Sequence, residues 1–97
     1  MKFRLLSTAL SELSEGLHYY EKEVPGLGIE FIDEVESVIT RILRYPNVWS
    51  RISEKFRHCN LRRFPFTIIY TQPKKDEILI VSVFHQSRKP GSWKENV

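Results

Sequence analysis

From Lys2 to Leu6 the chain alternates, Lys2 and Arg4 against Phe3 and Leu5, which is the period of a short strand with one buried face. Ser7 or Thr8 then stands where a helix needs a cap. From Ala9 the period lengthens. Ala9, Leu13, Leu17, Tyr20 and Val24 recur at three- and four-residue steps, with Glu12, Glu15 and Glu21 off the stripe. That spacing predicts one amphipathic helix, ended by Pro25-Gly26. After a tight corner at Leu27-Gly28, the residues Phe31, Val35, Val38 and Ile42 line a second helix, widened by Ile32, Ile39 and Leu43 and stopped by Pro46. A stripe this broad either packs on two neighbours at once or leaves part of itself to a partner, and packing on two neighbours is the default in a small domain.

Residues 45–55 hold no sustained period and read as a loop that carries Trp49 as an apolar plug. Three extended segments follow, at 56–61, 63–71 and 77–84. The last two are dense in Ile, Val, Phe and Tyr, the composition of strands buried on both faces. The polar stretch 72–76 between them predicts a turn and hence an antiparallel hairpin. Pro65 has no N–H to give a ladder, which places it at a bulge or an edge. The resulting order is β-α-α-β-β-β: an α+β fold in which a helical hairpin packs on a small, mainly antiparallel sheet.

With 97 residues, 41% hydrophobic and 28% charged, the chain has material for one packed core and is read as a single domain over 1–97. No apolar run approaches the length of a membrane span. The N-terminal apolar residues give way to Ser7, Thr8, Ser11 and Glu12 too soon for a secretory signal. Cys59 is the only cysteine, so no internal disulfide is expected, and the location these features predict is the cytoplasm.

Charge divides by position. Residues 1–40 carry three basic and eight acidic side chains, a net of −5; residues 41–97 carry twelve and four, a net of +8. The acidic groups belong to the helices and the basic ones to the sheet and tail: Arg57, Arg62, Arg63, Lys74, Lys75, Arg88, Lys89 and Lys94. A helix pair on one sheet face leaves the other face or its rim for these cations, so the sheet side is the candidate site for an acidic partner or for phosphate. Phe56, Phe64, Phe66, Phe84 and Trp93 interleave with them, either as stacking platforms for single-stranded nucleic acid or as ordinary core.

His85 ends the last strand and Arg88 follows it. Imidazole as a base beside a guanidinium that holds phosphate is a combination able to cleave RNA, although no neighbouring carboxylate orients the ring. Adjacent His58 and Cys59 point to opposite faces of a strand, and His18 lies on a helix, so no metal site is expected. Nothing in the sequence calls for a cofactor: there is no Walker loop, dinucleotide fingerprint or serine elbow.

The run Tyr19-Tyr20-Glu21, Pro25-Gly26-Leu27-Gly28, Phe31, Glu34-Val35-Glu36, Ile42, Pro46, Arg57, Leu61, Arg63-Phe64-Pro65-Phe66, Ile69-Tyr70, Val83, His85, Arg88, Pro90 and Trp93 resembles the RelE/ParE toxin superfamily over nearly the whole chain. The resemblance implies the same β-α-α-β-β-β fold. It also implies the toxin of a bacterial type II toxin–antitoxin module, a cognate antitoxin that folds on binding, and operator DNA bound only through that antitoxin. It gives the second helix's stripe (Phe31, Ile32, Val35, Ile39) a use as the antitoxin-binding surface.

Within the superfamily, RelE-like members resemble ribosome-dependent ribonucleases that cut mRNA, whereas ParE-like members inhibit DNA gyrase. The ribonucleases carry catalytic arginines where this chain has Thr67 and Gln86. Phe64-Pro65-Phe66 and the ending His85, Arg88, Pro90, Trp93 look more like the ParE-like branch. The expectation is therefore a gyrase inhibitor that meets its target through Arg57, Arg62, Arg63, His85, Arg88, Lys89, Trp93 and Lys94. The alternatives are a ribosome-dependent mRNA endonuclease using His85 and Arg88, or an inactive member that only binds its antitoxin.

Overall fold

The computed structural model describes residues 1–97. β1 (Lys2–Leu5) leads into α1 (Ser7–Glu23) and α2 (Leu27–Arg44), followed by β2 (Ser50–Arg51), β3 (Arg57–Asn60), β4 (Phe66–Lys74), β5 (Glu77–His85) and a 3-10 turn at Ser92–Asn96. The strands form one sheet in the order β1-β5-β4-β3-β2. β1 runs parallel to β5 and every other pair is antiparallel. The α+β class, the helical hairpin and the mainly antiparallel sheet are as the sequence predicts.

Several local expectations change. α1 begins at Ser7 itself, with Leu6 at the cap position and no side-chain cap, so neither Ser7 nor Thr8 caps it. The 45–55 segment is not all loop, because Ser50–Arg51 pairs with Arg57–His58 as a two-residue edge strand. Residues 63–65 precede their strand, which starts at Phe66. At the far end β4 runs on to Lys74, paired with Glu77, and its ladder breaks between Thr71 and Lys74 around Pro73, the residue without a donor.

The sheet is apolar on both faces. On one face Ile68, Tyr70, Ile78, Ile80 and Val83 join Ala9 of α1 and Phe31, Val35, Val38 and Ile42 of α2 in the main core. Phe31 is fully buried and meets Tyr20, Phe64 and Phe66 at ring-centroid distances of 5.3, 5.3 and 4.9 Å. Trp49 packs against the rim of this core. On the other face Ile69, Val81 and Phe84 are covered by Trp93 from the C-terminal turn, and Phe56 meets Trp93 at 5.1 Å. This two-sided burial is why the hairpin strands read as nearly unbroken apolar runs.

The turn between the helices needs Gly26, whose φ of 90° suits a residue without a Cβ. The Glu21 carboxylate accepts hydrogen bonds from the N–H groups of Gly26 at 2.8 Å and Gly28 at 3.0 Å. These are donors that the first turn of α2 cannot satisfy internally, so a residue near the end of α1 caps its neighbour.

The Tyr70 hydroxyl donates to the Pro46 carbonyl at 2.7 Å. Burial pushes its phenol up to about 12, against the lowering effect of the nearby Arg57 guanidinium. In the unfolded chain a tyrosine ionises near 10, so above that pH the unfolded state loses its proton while the native state keeps it. Stability that is complete below pH 10 should therefore fall as pH rises towards about 12. Urea midpoints compared at pH 9 and 11.5 should drop further in the wild type than in Tyr70→Phe; equal drops would remove Tyr70 as the cause.

Candidate functional site

The sites suggested by the sequence fall on different sides of the sheet. Thr67 lies opposite Phe84 on β5 and Asn60 on β3, on the face turned away from the helices. Its hydroxyl donates to Asn60 Oδ1 at 2.6 Å, and Gln86 Nε2 reaches Thr67 Oγ1 at 3.3 Å and the Phe66 carbonyl at 3.2 Å. Thr67 and Gln86 border a shallow cavity of about 250 Å³ that His58, Arg88 and Trp93 also line. Hydrogen bonding is all that Asn60, Thr67 and Gln86 offer; they bring no charge to a phosphoryl group.

His85 faces the other way. It packs edge-on against Phe66 at 4.9 Å and lines a cleft of about 520 Å³ with Glu12, Tyr19, Tyr20 and Arg88, beside α1. The backbone N–H of Ser87 donates to His85 Nδ1 at 3.0 Å, and the Ser87 hydroxyl lies 2.7 Å from the same nitrogen. Nδ1 therefore presents its lone pair and the ring proton sits on Nε2.

Arg88 borders both cavities, but its Nη1 is held 2.9 Å from Glu12 Oε2 and its guanidinium lies over the Phe84 ring at 5.8 Å. The structure thus brings His85 and Arg88 into one cleft. It keeps His85 off the face that holds Thr67 and Gln86.

The remaining cations do not form one patch on the sheet side, as the charge division had suggested. Arg62 and Arg63 sit in the connection before β4, where Glu34 of α2 accepts their backbone N–H groups at 2.6 and 3.2 Å. Arg63 also pairs with Glu30 at 2.9 Å, so the acidic helix layer anchors part of the basic half. That connection meets the start of the tail, because the Gln86 N–H donates to the Pro65 carbonyl at 2.8 Å. Arg62, Arg63, Arg88 and Lys89 consequently flank the same end of the β4–β5 hairpin. Arg57 begins β3 at the other end of that strand, opposite Tyr70, and its Nη1 donates to the Trp49 carbonyl at 2.7 Å. Lys89 and Lys94 are exposed, Lys94 lying 6.0 Å from the Trp93 ring centroid.

Trp93 itself is buried on the sheet, where it supports the tail. Phe64, Phe66 and Phe84 are likewise core residues. On α2, three of the four residues expected to meet an antitoxin are covered in this structure. Phe31, Val35 and Ile39 are buried against the sheet, and only Ile32 stays half-exposed. The broad stripe packs on two neighbours, the sheet and α1. Around the hairpin turn the exposed apolar residues are instead Tyr19, Val24 and Ile29.

Cys59 points into the helix-side core and burial pushes its thiol up, with Arg41 acting in the opposite sense. His58, one residue earlier, lines the open-face cavity. The alternation of a strand separates the two, as expected of adjacent residues.

Sequence reasoning missed Glu12. Its carboxylate is 13% exposed and accepts hydrogen bonds from the Ser82 hydroxyl at 2.9 Å, the Val83 N–H at 3.0 Å and Asn96 Nδ2 at 3.3 Å, besides pairing with Arg88. One acidic residue therefore ties α1, β5, the tail and the C-terminal turn together.

Fold and site define a small two-layer α+β domain in which Arg62, Arg63, Arg88 and Lys89 flank one end of the β4–β5 hairpin and the polar row is neutral. Residues 3–90 match the family described as ParE toxin of type II toxin–antitoxin system, parDE, and the chain belongs to that family. A solved structure described as a chromosomal ParDE TA system from P. aeruginosa shares the fold, with a TM-score of 0.75 at 20% identity over 88% of this chain and 95% of that one. No curated protein matches the chain in sequence. No helix is long and apolar enough to cross a membrane.

Proposed function

We propose that this ParE-family toxin, neutralised by its cognate antitoxin, acts by inhibiting DNA gyrase. The observation that carries the reading is the neutral row of Asn60, Thr67 and Gln86, hydrogen-bonded within itself, in which Thr67 and Gln86 stand where the resemblance places the arginines of a ribonuclease. Stabilising a phosphoryl transition state needs positive charge aimed at the oxygens, which these three residues cannot supply. Arg62, Arg63, Arg88 and Lys89 at the hairpin end, with Lys94 beyond them, instead suit docking on an acidic protein surface.

Supercoiling of relaxed plasmid by purified gyrase tests this directly. Inhibition or linearised plasmid is expected with the toxin alone, and its reversal when the antitoxin is added. Lys89 and Lys94 are exposed and take part in no ion pair. The double variant Lys89→Glu, Lys94→Glu should keep the fold, lose on the order of tenfold in potency and respond less to salt. Full inhibition by that variant would move the contact elsewhere. Codon-dependent mRNA cleavage on ribosomes with gyrase untouched would replace the reading by the endonuclease one, with His85 and Arg88 as the residues to change.

A further inference from the structure

In the β2–β3 pair the register sets Arg51 directly opposite Arg57, and Arg57 lies opposite Tyr70 on β4. Opposed residues of an antiparallel pair share a face with Cβ atoms about 4.5–5.5 Å apart, and like charges placed so repel. Arg51 and Arg57, with Lys55, line a cleft of about 540 Å³ bounded by the 45–56 segment, the start of β3 and the far half of β4. None of the three cations takes part in an ion pair. Arg57 is half-buried, and its bond to the Trp49 carbonyl holds the guanidinium in place without neutralising it. Glu54 is the one carboxylate lining the cleft, which leaves a net charge of +2.

We infer that this cleft is a binding site for a phosphate monoester dianion, carried by a molecule about the size of a nucleotide. A monoester bears roughly −1.5 to −2 at pH 7 and three strong acceptor oxygens, which matches the surplus. A carboxylate or a phosphodiester brings a single charge and leaves half the surplus uncompensated. Arginine forks bind phosphate oxygens bidentately, and two arginines at opposed positions on neighbouring strands gain an anion to bridge them. The volume falls within the range of about 300–1,000 Å³ typical of small-ligand sites. The inference does not depend on which cellular target the toxin inhibits.

Isothermal titration of the intact protein with adenosine 5′-monophosphate, inorganic phosphate and adenosine is the test. The monophosphate and inorganic phosphate should bind and adenosine should not. Arg51 and Lys55 are exposed and make no side-chain hydrogen bond or ion pair in the structure, so Arg51→Gln and Lys55→Gln should stay folded, as circular dichroism would verify. Each should weaken monophosphate binding tenfold or more. Absence of binding to the wild type overturns the inference, as do affinities unchanged in both variants or adenosine binding as tightly as its monophosphate. A dinucleotide without a terminal phosphate that binds as tightly as the monophosphate also overturns it, in favour of a phosphodiester site.

Discussion

Glu12→Ala is expected to lower the free energy of unfolding by about 3–5 kcal/mol, a large part of the roughly 5–15 kcal/mol available to a small domain. The cause is the edge of β5. β1 pairs with β5 from Glu77 to Ile80 and the Leu6 N–H still reaches the Ile80 carbonyl, after which no strand covers that edge. Glu12 stands in for the missing strand by accepting the Val83 N–H at 3.0 Å, and Asn96 donates to the Val81 carbonyl at 3.0 Å. Alanine would strand the Val83 N–H and the fully buried Ser82 hydroxyl, each at about 1–3 kcal/mol. Loss of the half-exposed Arg88 pair adds less than about 1 kcal/mol. Glu12→Gln keeps an acceptor at the same place and should lose only about 1–2 kcal/mol. Urea unfolding of the three proteins separates the cases. An alanine variant within about 1 kcal/mol of wild type would mean that water replaces the carboxylate on the β5 edge.

Glu12 also shows where a sequence stops being legible. The helical period places it three residues after Ala9 and four before Gly16, both buried, so it lies on the inward stripe of α1. Its charge argued for solvent, because what it accepts from, an uncovered strand edge seventy residues away, is invisible to periodicity. Glu21 and Glu34 repeat the pattern: each flanks an apolar stripe and each accepts two backbone N–H groups, of Gly26 and Gly28 or of Arg62 and Arg63.

The elements themselves were legible because their apolar periods differ sharply, near 3.6 residues in the helices and continuous in β4 and β5. Ser50–Arg51 was not, since a two-residue edge strand has no period to read. The candidate site divides the same way. That His58 and Cys59 face apart follows from strand geometry alone. The separation of His85 from Thr67 and Gln86 depends on which face each strand end presents, and that is fixed only by the β4–β5 register. The charge asymmetry was visible as a count, yet Glu30 and Glu34 draw Arg62 and Arg63 towards the helix layer. Charge summed along a chain does not say which opposite charges fold together.

The two glycines at the hairpin should behave in the reverse order to that suggested by their backbone angles. Gly26 has the positive φ, but a Cβ there would meet nothing within 4 Å, so Gly26→Ala should cost about 1–2 kcal/mol of backbone strain. Gly28 is helical, where alanine alone would gain up to about 1 kcal/mol of propensity. Its Cβ, however, would lie 2.6 Å from the Leu17 carbonyl oxygen, 2.8 Å from Leu17 Cδ1 and 3.0 Å from Glu21 Cβ. A backbone oxygen cannot swing aside as a side chain can, so α1 and α2 must separate. That movement loosens the Glu21 bonds to Gly26 and Gly28 and the packing of Phe31 beneath them. Overpacking of about 1–3 kcal/mol together with a weakened cap outweighs the propensity gain, and a net loss of about 2–4 kcal/mol is expected for Gly28→Ala. Thermal and urea unfolding of both variants decide the order. If Gly28→Ala proves no costlier than Gly26→Ala, the close approach of the helices is compliant, and the small residue at position 28 is not what sets their spacing.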